Sequence, residues 1–291
     1  MSEHRMEKTA LILEGGGMRA TYSAGILAVL IEKGLWFPYI TGISAGTTLL
    51  VNYVLRDVPR LRASFIDAAK DPNFAGMKHF IKGHGFFNAH YMYEEMIYDD
   101  GALAVDWQAW EKSDVEICIG AYNQDKGTMK YWHRDEVKSL RDLGRICRAS
   151  SSLPILMPPT YIDGEGYVDG GVVDSFGIEE AKRDGYEKFV IIPTHTRGFR
   201  REPAKENLVY KKILRHHPKV YEAMMARSLH YNAAMAEIER LESTGQALVL
   251  YPEAMPLTRT ERDEAALIAG YNAGKLQAEK SFDEWFPSLA E

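Results

Sequence analysis

Pro38-Tyr39-Ile40-Thr41-Gly42-Ile43-Ser44-Ala45-Gly46 is the stretch on which the fold turns. Pro38 to Ile43 is an apolar run of strand character, and Thr47 to Leu55 continues at helical spacing. A Gly-x-Ser-x-Gly, Gly42 to Gly46, stands at the turn between them. A turn this sharp packs backbone against backbone, so small residues are needed two positions either side of its apex. The helix that follows aims the positive end of its dipole at the apex. Ser44 is therefore a candidate nucleophile. The plainer alternative is a glycine-rich turn with an incidental serine.

Working outward, the same strand-turn-helix unit occurs once before. Thr9 to Leu13 reads as a short buried strand, which Glu14-Gly15-Gly16-Gly17 breaks. Met18 to Lys33 then carries Tyr22, Ile26, Val29 and Leu30 on a helical stripe and closes on Gly34. Bare amides at a helix start hold anions. For Gly15, Gly16 and Gly17 this means either a nucleotide phosphate or the oxyanion of an acyl intermediate. A dinucleotide site needs an acidic residue near the end of the second strand, and that position holds Thr41-Gly42-Ile43-Ser44. The Gly-Lys-Ser/Thr of a phosphate-binding loop is absent. The oxyanion reading is the one left. Arg19 adds a positive charge beside the loop, or is simply a solvated first-turn residue.

Strands alternating with helices at this spacing imply a parallel sheet covered on both faces. Residues 57–111 read as helices and loops inserted between strands. Val115 to Tyr122 and Thr128 to His133 form a strand hairpin, and Ser139 to Ser150 a helix. Thr160 to Ile162 and Gly166 to Val168 flank Asp163-Gly164, a hairpin turn. Ile178 to Arg183 is helical and Lys188 to Ile192 a strand. Beyond Pro203 the pattern is mainly helical: Asn207 to His216, Lys219 to Glu242, and a last helix opened by a capping box of Thr260 and Asp263. Ala247 to Tyr251 reads as one more strand.

A third motif is Val168-Asp169-Gly170-Gly171. A carboxylate followed by two glycines suits an aspartate where backbone must approach closely, though Asp-Gly is also a common turn dipeptide. Taken together, the glycine loop, the Gly-x-Ser-x-Gly and the distant Asp-Gly-Gly resemble the patatin-like phospholipases over roughly residues 9 to 185. Ala149-Ser150-Ser151-Ser152-Leu153-Pro154 is similar to that family's Ala-Ser-x-x-x-Pro segment. Ala20 stands where the family's loop usually has Gly. The resemblance implies a Ser–Asp dyad, with Ser44 as nucleophile and Asp169 as base. It also implies an oxyanion hole from Gly15, Gly16 and Gly17, supported by Arg19, Gly42, Gly46, Gly170 and Gly171.

The expected fold is α/β, a largely parallel sheet sandwiched by helices with a mainly helical C-terminal segment. A catalytic domain over 9–203 and a helical extension over 204–291 follow. The expected activity is hydrolysis of lipid carboxylic esters without metal or organic cofactor. Two alternatives stay open. One is a Ser–Asp–His esterase, since Ser44, Asp169 and His195 follow the chain order of the α/β-hydrolases. The other is a non-catalytic lipid or nucleotide binder on the same loops.

Composition sets the outer limits. Lys and Arg total 35 against 41 Asp and Glu in 291 residues, giving a net charge of −6. That balance speaks against a dedicated nucleic-acid binder. Cys118 and Cys147 are too few for a disulfide framework or a zinc cluster. The longest apolar run falls far short of the roughly 18 residues of a membrane span, so a cytoplasmic location is expected. A lipid would then be met through transient membrane-surface contact, at an apolar or basic patch. Lys211, Lys212, Arg215 and His216 suit such a patch, or a solvated helix face. Phe80, Phe86, Phe87, Tyr91, Tyr93 and Tyr98 suit core packing, or an apolar cover that admits an acyl chain.

Overall fold

The computed structural model describes residues 4–287. Its centre is an eight-stranded sheet. The first half of the chain supplies β1 (Thr9–Leu13), α1 (Ala20–Glu32), β2 (Tyr39–Ile43) and α2 (Ala45–Leu55). The middle supplies β3 (Glu116–Asn123), β4 (Thr128–His133), α3 (Leu140–Ser151), β5 (Thr160–Ile162) and β6 (Glu165–Asp169). Then come α4 (Ile178–Arg183), β7 (Lys188–Ile192), α5 (Pro218–Ser243), β8 (Ala247–Val249) and α6 (Glu264–Trp285). Short helices such as Val58–Phe65 and Trp107–Lys112 fill the stretch between α2 and β3. A separate two-residue pairing joins His4–Arg5 to Leu35–Trp36.

The main path runs β8-β7-β1-β2-β3-β6-β5, with β4 also on β3. From β8 to β3 every pairing is parallel, and β4, β6 and β5 are antiparallel. The sheet is thus parallel at its centre and mixed at one side. Alternation along β1 shows how it is covered. Leu11 and Leu13 enter the core under α1 and α2, while Ala10 and Ile12 enter the one under α4 and α5. Apolar side chains on both faces are what a centrally buried parallel strand requires.

The register of β3 positions the site. One edge of β3 is shared between two strands. Parallel β2 pairs with it up to Ile43↔Gly120, and antiparallel β6 takes over at Ala121↔Asp169. β4 pairs along Cys118 to Asn123 and so takes the opposite edge. The end of β2 and the end of β6 therefore meet at adjacent residues of one strand.

The segment after 204 is woven into this architecture. β8 extends the sheet beside β7, and α6 lies along α1. Their backbones pack with nothing between them: a Cβ on Gly25 would sit 2.1 Å from the Tyr271 carbonyl, and one on Gly274 2.1 Å from that of Tyr22. Tyr22 also donates to Gln277 at 2.8 Å. The start of α6 corrects the sequence expectation. Asp263 is itself the N-cap and accepts from the Ala266 amide, so Thr260 lies in the preceding turn. Likewise the helix expected from Asn207 to His216 is shorter. It spans Leu208–Ile213, with Asn207 as its cap.

Candidate active site

Ser44 is the residue between β2 and α2, with φ 57° and ψ −127°. For a residue with a Cβ this backbone is costly and persists only where its surroundings enforce it. They do so through bare glycines. A Cβ on Gly42 would lie 2.5 Å from the Gly46 carbonyl, and one on Gly46 2.4 Å from that of Leu13. The turn thus closes on itself and on the end of β1. The Ser44 amide donates to Ser150 Oγ at 3.0 Å, and Ser150 Oγ donates to the Gly120 carbonyl at 2.6 Å. The end of α3 therefore pins the elbow to β3. Ser150 falls in the segment quoted for the family resemblance, but its role as a strut was not legible there.

Ser44 Oγ donates to Asp169 Oδ2 at 2.6 Å. Asp169 Oδ1 accepts from the Gly171 amide at 2.7 Å, and the Asp169 amide donates to the Ser152 carbonyl at 2.8 Å. Asp169 is 1% exposed and Ser44 8%. Burial pushes the Asp169 carboxyl above its ordinary range, against the pull of the Ser44 bond, the Arg227 charge and the Gly171 bond. A carboxylate raised this way is a stronger base than a solvated one. Gly170 lies against the Gly120 carbonyl, which keeps the Asp-Gly-Gly turn close to β3.

The glycine loop sits against this pair. A Cβ on Gly15 would lie 2.8 Å from that of Ser44. The Gly15 amide faces the Ser175 carbonyl at 3.4 Å, and the Met18 amide donates to the Arg259 carbonyl at 3.0 Å. Among the described residues the amides of Gly16 and Gly17 have no such acceptor. Of the three glycine amides expected to face an oxyanion, that of Gly15 is turned to Ser175. Arg19 is not the solvated residue that was one of its two readings. It is half-buried, its Nε has no partner, and it faces the buried carboxylate of Glu14. Burial raises the Glu14 carboxyl, which accepts from the Thr194 amide.

His195 does not join the pair. Its ring stacks on Phe199 at 3.7 Å and its buried Nε2 has no partner. Burial and the charges of Arg19, Arg201 and Arg227 push its pKa down to about 3. An imidazole held so strongly neutral is a poor proton acceptor.

Two kinds of space flank the pair. On the Ser44 side lies a small apolar cavity of about 60 Å³, lined by Phe65, Phe74, Phe87, Tyr93, Met157 and others. Thr48, Ser64, Phe74, Met92 and Tyr93 also line a second one of about 50 Å³, deeper toward Leu103 and Leu143. Of the aromatics expected from residues 80–98, Phe87 and Tyr93 reach this space, whereas Phe80 and Tyr98 are exposed. On the Asp169 side opens a cavity of about 620 Å³ that includes Gly171, Arg201, Arg227 and Arg259. Arg227 Nε donates to the Gly171 carbonyl at 2.7 Å.

Arg227 was missed in the sequence, although a signal was present. Val220, Ala223, Tyr231, Met235, Ile238 and Leu241 form the buried stripe of α5, and Arg227 sits in step with them. A cation in an apolar register is costly to bury, and that cost marks a candidate for function.

Comparison with known proteins agrees with this architecture. The family model described as patatin-like phospholipase matches residues 11–182. A second, described as a domain of unknown function (DUF6363), matches residues 217–290. The protein YjjU of Escherichia coli (strain K12) is 25% identical over 190 residues, covering 64% of this chain and 52% of YjjU. The chain thus spans about half the length of that curated relative. VipD from Legionella pneumophila shares the fold at a TM-score of 0.50 and 16% identity, over 95% of this chain and 67% of VipD.

Proposed function

The chain belongs to the patatin-like phospholipase family, and from that premise we propose that it is a serine acyl hydrolase of lipid carboxylic esters. The observation that carries this reading is the 2.6 Å bond from Ser44 Oγ to Asp169 Oδ2. Ser44 Oγ attacks the ester carbonyl carbon while its proton passes to Asp169. The amides of Gly16 and Gly17 hold the oxyanion, and one such donor is worth roughly 3–4 kcal/mol of barrier. Collapse expels the alcohol, which takes the proton from Asp169. Water then attacks the acyl-Ser44, giving its proton to Asp169, and Asp169 returns that proton to Ser44 Oγ as the carboxylic acid is released. The acyl chain occupies the apolar cavities beside Ser44. Neither step needs a metal or an organic cofactor.

No helix among the described residues is long and apolar enough to cross a membrane. In this reading the lipid is met by transient surface contact. Met77, Phe80 and Ile81 on one short helix, and Leu208, Val209 and Ile213 on another, are exposed apolar residues. Phe80 and Ile213 border the same cavity, of about 330 Å³. Lys78, Lys82, Lys211 and Lys212 lie among them and suit an anionic lipid surface.

A fluorophosphonate probe tests the chemistry. Labelling of the wild type, and its loss in Ser44→Ala with an unchanged circular dichroism spectrum, is the expected result. Robust labelling of the Ser44→Ala protein would overturn the assignment.

A further inference from the structure

The cavity on the Asp169 side carries more positive charge than the fold needs. Arg201, Arg227 and Arg259 line it, with Lys205 on its exposed side and Arg200 there paired with Glu239. Its carboxylates are Asp169, occupied by Ser44 and Gly171, and Glu202, which is exposed. Among the described residues Arg201, Arg227 and Arg259 form no ion pair. Arg227 spends Nε on the Gly171 carbonyl. The Arg201 guanidinium lies 4.3 Å over the Tyr231 ring, and its Nε is buried without a partner. Burial first, and then the nearby Arg201 and Arg259 charges, take the Arg227 pKa down to about 10, against the pull of Asp169 and Glu14. Asp169 and Glu14 are the acids that act on this cluster, and the three guanidiniums outnumber them; like charges gathered out of water in such excess are costly. A ligand that brings an anion offsets that cost.

Position decides what the ligand is. The reacting pair stands between the two spaces, with apolar cavities on the Ser44 side and the cationic one on the Asp169 side, and Leu153 lines both. An ester with its carbonyl at Ser44 and its acyl chain in the apolar space directs its alcohol portion among the arginines. We propose that residues 199–259 build a subsite for a phosphate monoester carried on the alcohol portion of the substrate, so that the preferred ester is an acylated polyol phosphate. Several guanidinium forks around one opening suit a dianionic tetrahedral group, which accepts from more than one of them at once. A zwitterionic head finds little for its cation here, since the one carboxylate left free is Glu202 at the rim. The inference rests on the hydrolase reading for the placement of the acyl chain, and on the arginine cavity alone for the phosphate.

The test uses short hexanoyl esters, which stay monomeric: hexanoyl-glycerol 3-phosphate, hexanoyl-glycerol and hexanoyl-glycerophosphocholine. The expected result is a kcat/KM at least about tenfold higher for the phosphate monoester than for the neutral ester, the size of one hydrogen bond to a charged group. The phosphocholine ester should fall between them. Arg201→Met combined with Arg259→Met should bring the ratio close to one, and Arg201→Lys should keep part of it. Competition by glycerol 3-phosphate stronger than by inorganic phosphate identifies a headgroup site rather than a free-phosphate site. Equal turnover of the neutral and phosphate esters, or a ratio unmoved by the double substitution, overturns the subsite and leaves the hydrolase reading standing. If no ester and no fluorophosphonate reacts, the hydrolase reading fails. Calorimetry of glycerol 3-phosphate with the Ser44→Ala protein then decides the subsite: binding that disappears with the double substitution upholds it, and no binding overturns it.

Discussion

Arg227 Nε donates to the carbonyl oxygen of Gly171 at 2.7 Å, so a side chain of α5 fixes the turn that carries Asp169. The Arg227 charge also pulls the Asp169 pKa downward, against the larger effect of burial. Arg227→Met should therefore lower kcat by about tenfold or more, as loss of a charge-assisted bond would. It should also move the acidic limb of the pH–rate profile to higher pH. Arg227→Lys keeps a charge but not the Nε geometry, so it should restore the limb more than the rate. A loss of rate with no movement of the limb would reduce Arg227 to a packing role.

Asp169 itself sets a second expectation. Its carboxyl is raised above 3.8 by burial, and it accepts a proton from Ser44 only when ionised. Below its folded-state pKa it is protonated and inactive, so kcat/KM should rise with pH through a value above 3.8. Asp169→Asn should lose nearly all activity at every pH. His195→Gln should leave the limb where it is, because the imidazole pKa is pushed down to about 3 and its ring bonds neither partner. A pH–rate profile on a soluble ester decides between the two residues.

Ser150 holds the elbow from behind. Ser150→Ala deletes the acceptor of the Ser44 amide and the donor to Gly120 together. Leaving buried groups unpaired costs about 1–3 kcal/mol. Urea denaturation should show a loss of that order. The rate of fluorophosphonate labelling should fall further than the stability change explains, since the backbone at Ser44 is released.

Gly46→Ala tests the close approach of α2 to β1. The new methyl would lie 2.4 Å from the Leu13 carbonyl, which belongs to the sheet and cannot easily yield. Overpacking of this kind costs about 1–3 kcal/mol. The expected outcome is a folded protein with a lowered melting temperature and no labelling at Ser44.

The apolar rim makes a prediction about lipid. Ile81→Asp with Leu208→Asp removes two exposed apolar residues and adds two negative charges. Co-sedimentation with anionic vesicles should weaken, while turnover of a soluble short-chain ester should not change.

Much of this was legible in the chain, for a physical reason. β1, β2 and β7 are continuous apolar runs because both faces are buried, and such runs stand out by themselves. Ser44 and Asp169 were legible through their glycines, since backbone approaches of 2.5 Å at Gly42 and 2.7 Å at Gly170 admit nothing larger. The change of partner on β3, from β2 at Gly120 to β6 at Ala121, was not, because strand pairing is non-local. The N-terminus of α6 was misplaced for a different reason. Thr260 and Asp263 are both good caps, and the docking of α6 along α1 selects between them. The arginine cavity was invisible because its members come from separated positions that only the fold gathers.

The lengthwise pairing of α1 with α6 has a consequence for synthesis. The helix behind the glycine loop is made early, and the surface that covers it, from Tyr271 to Gly274, is made late. While the chain emerges from the ribosome, α1 shows apolar flank with no mate, and Arg227 and Arg259 have yet to appear beside an Asp169 already made. The helix behind the glycine loop therefore stays uncovered until α6 has followed it.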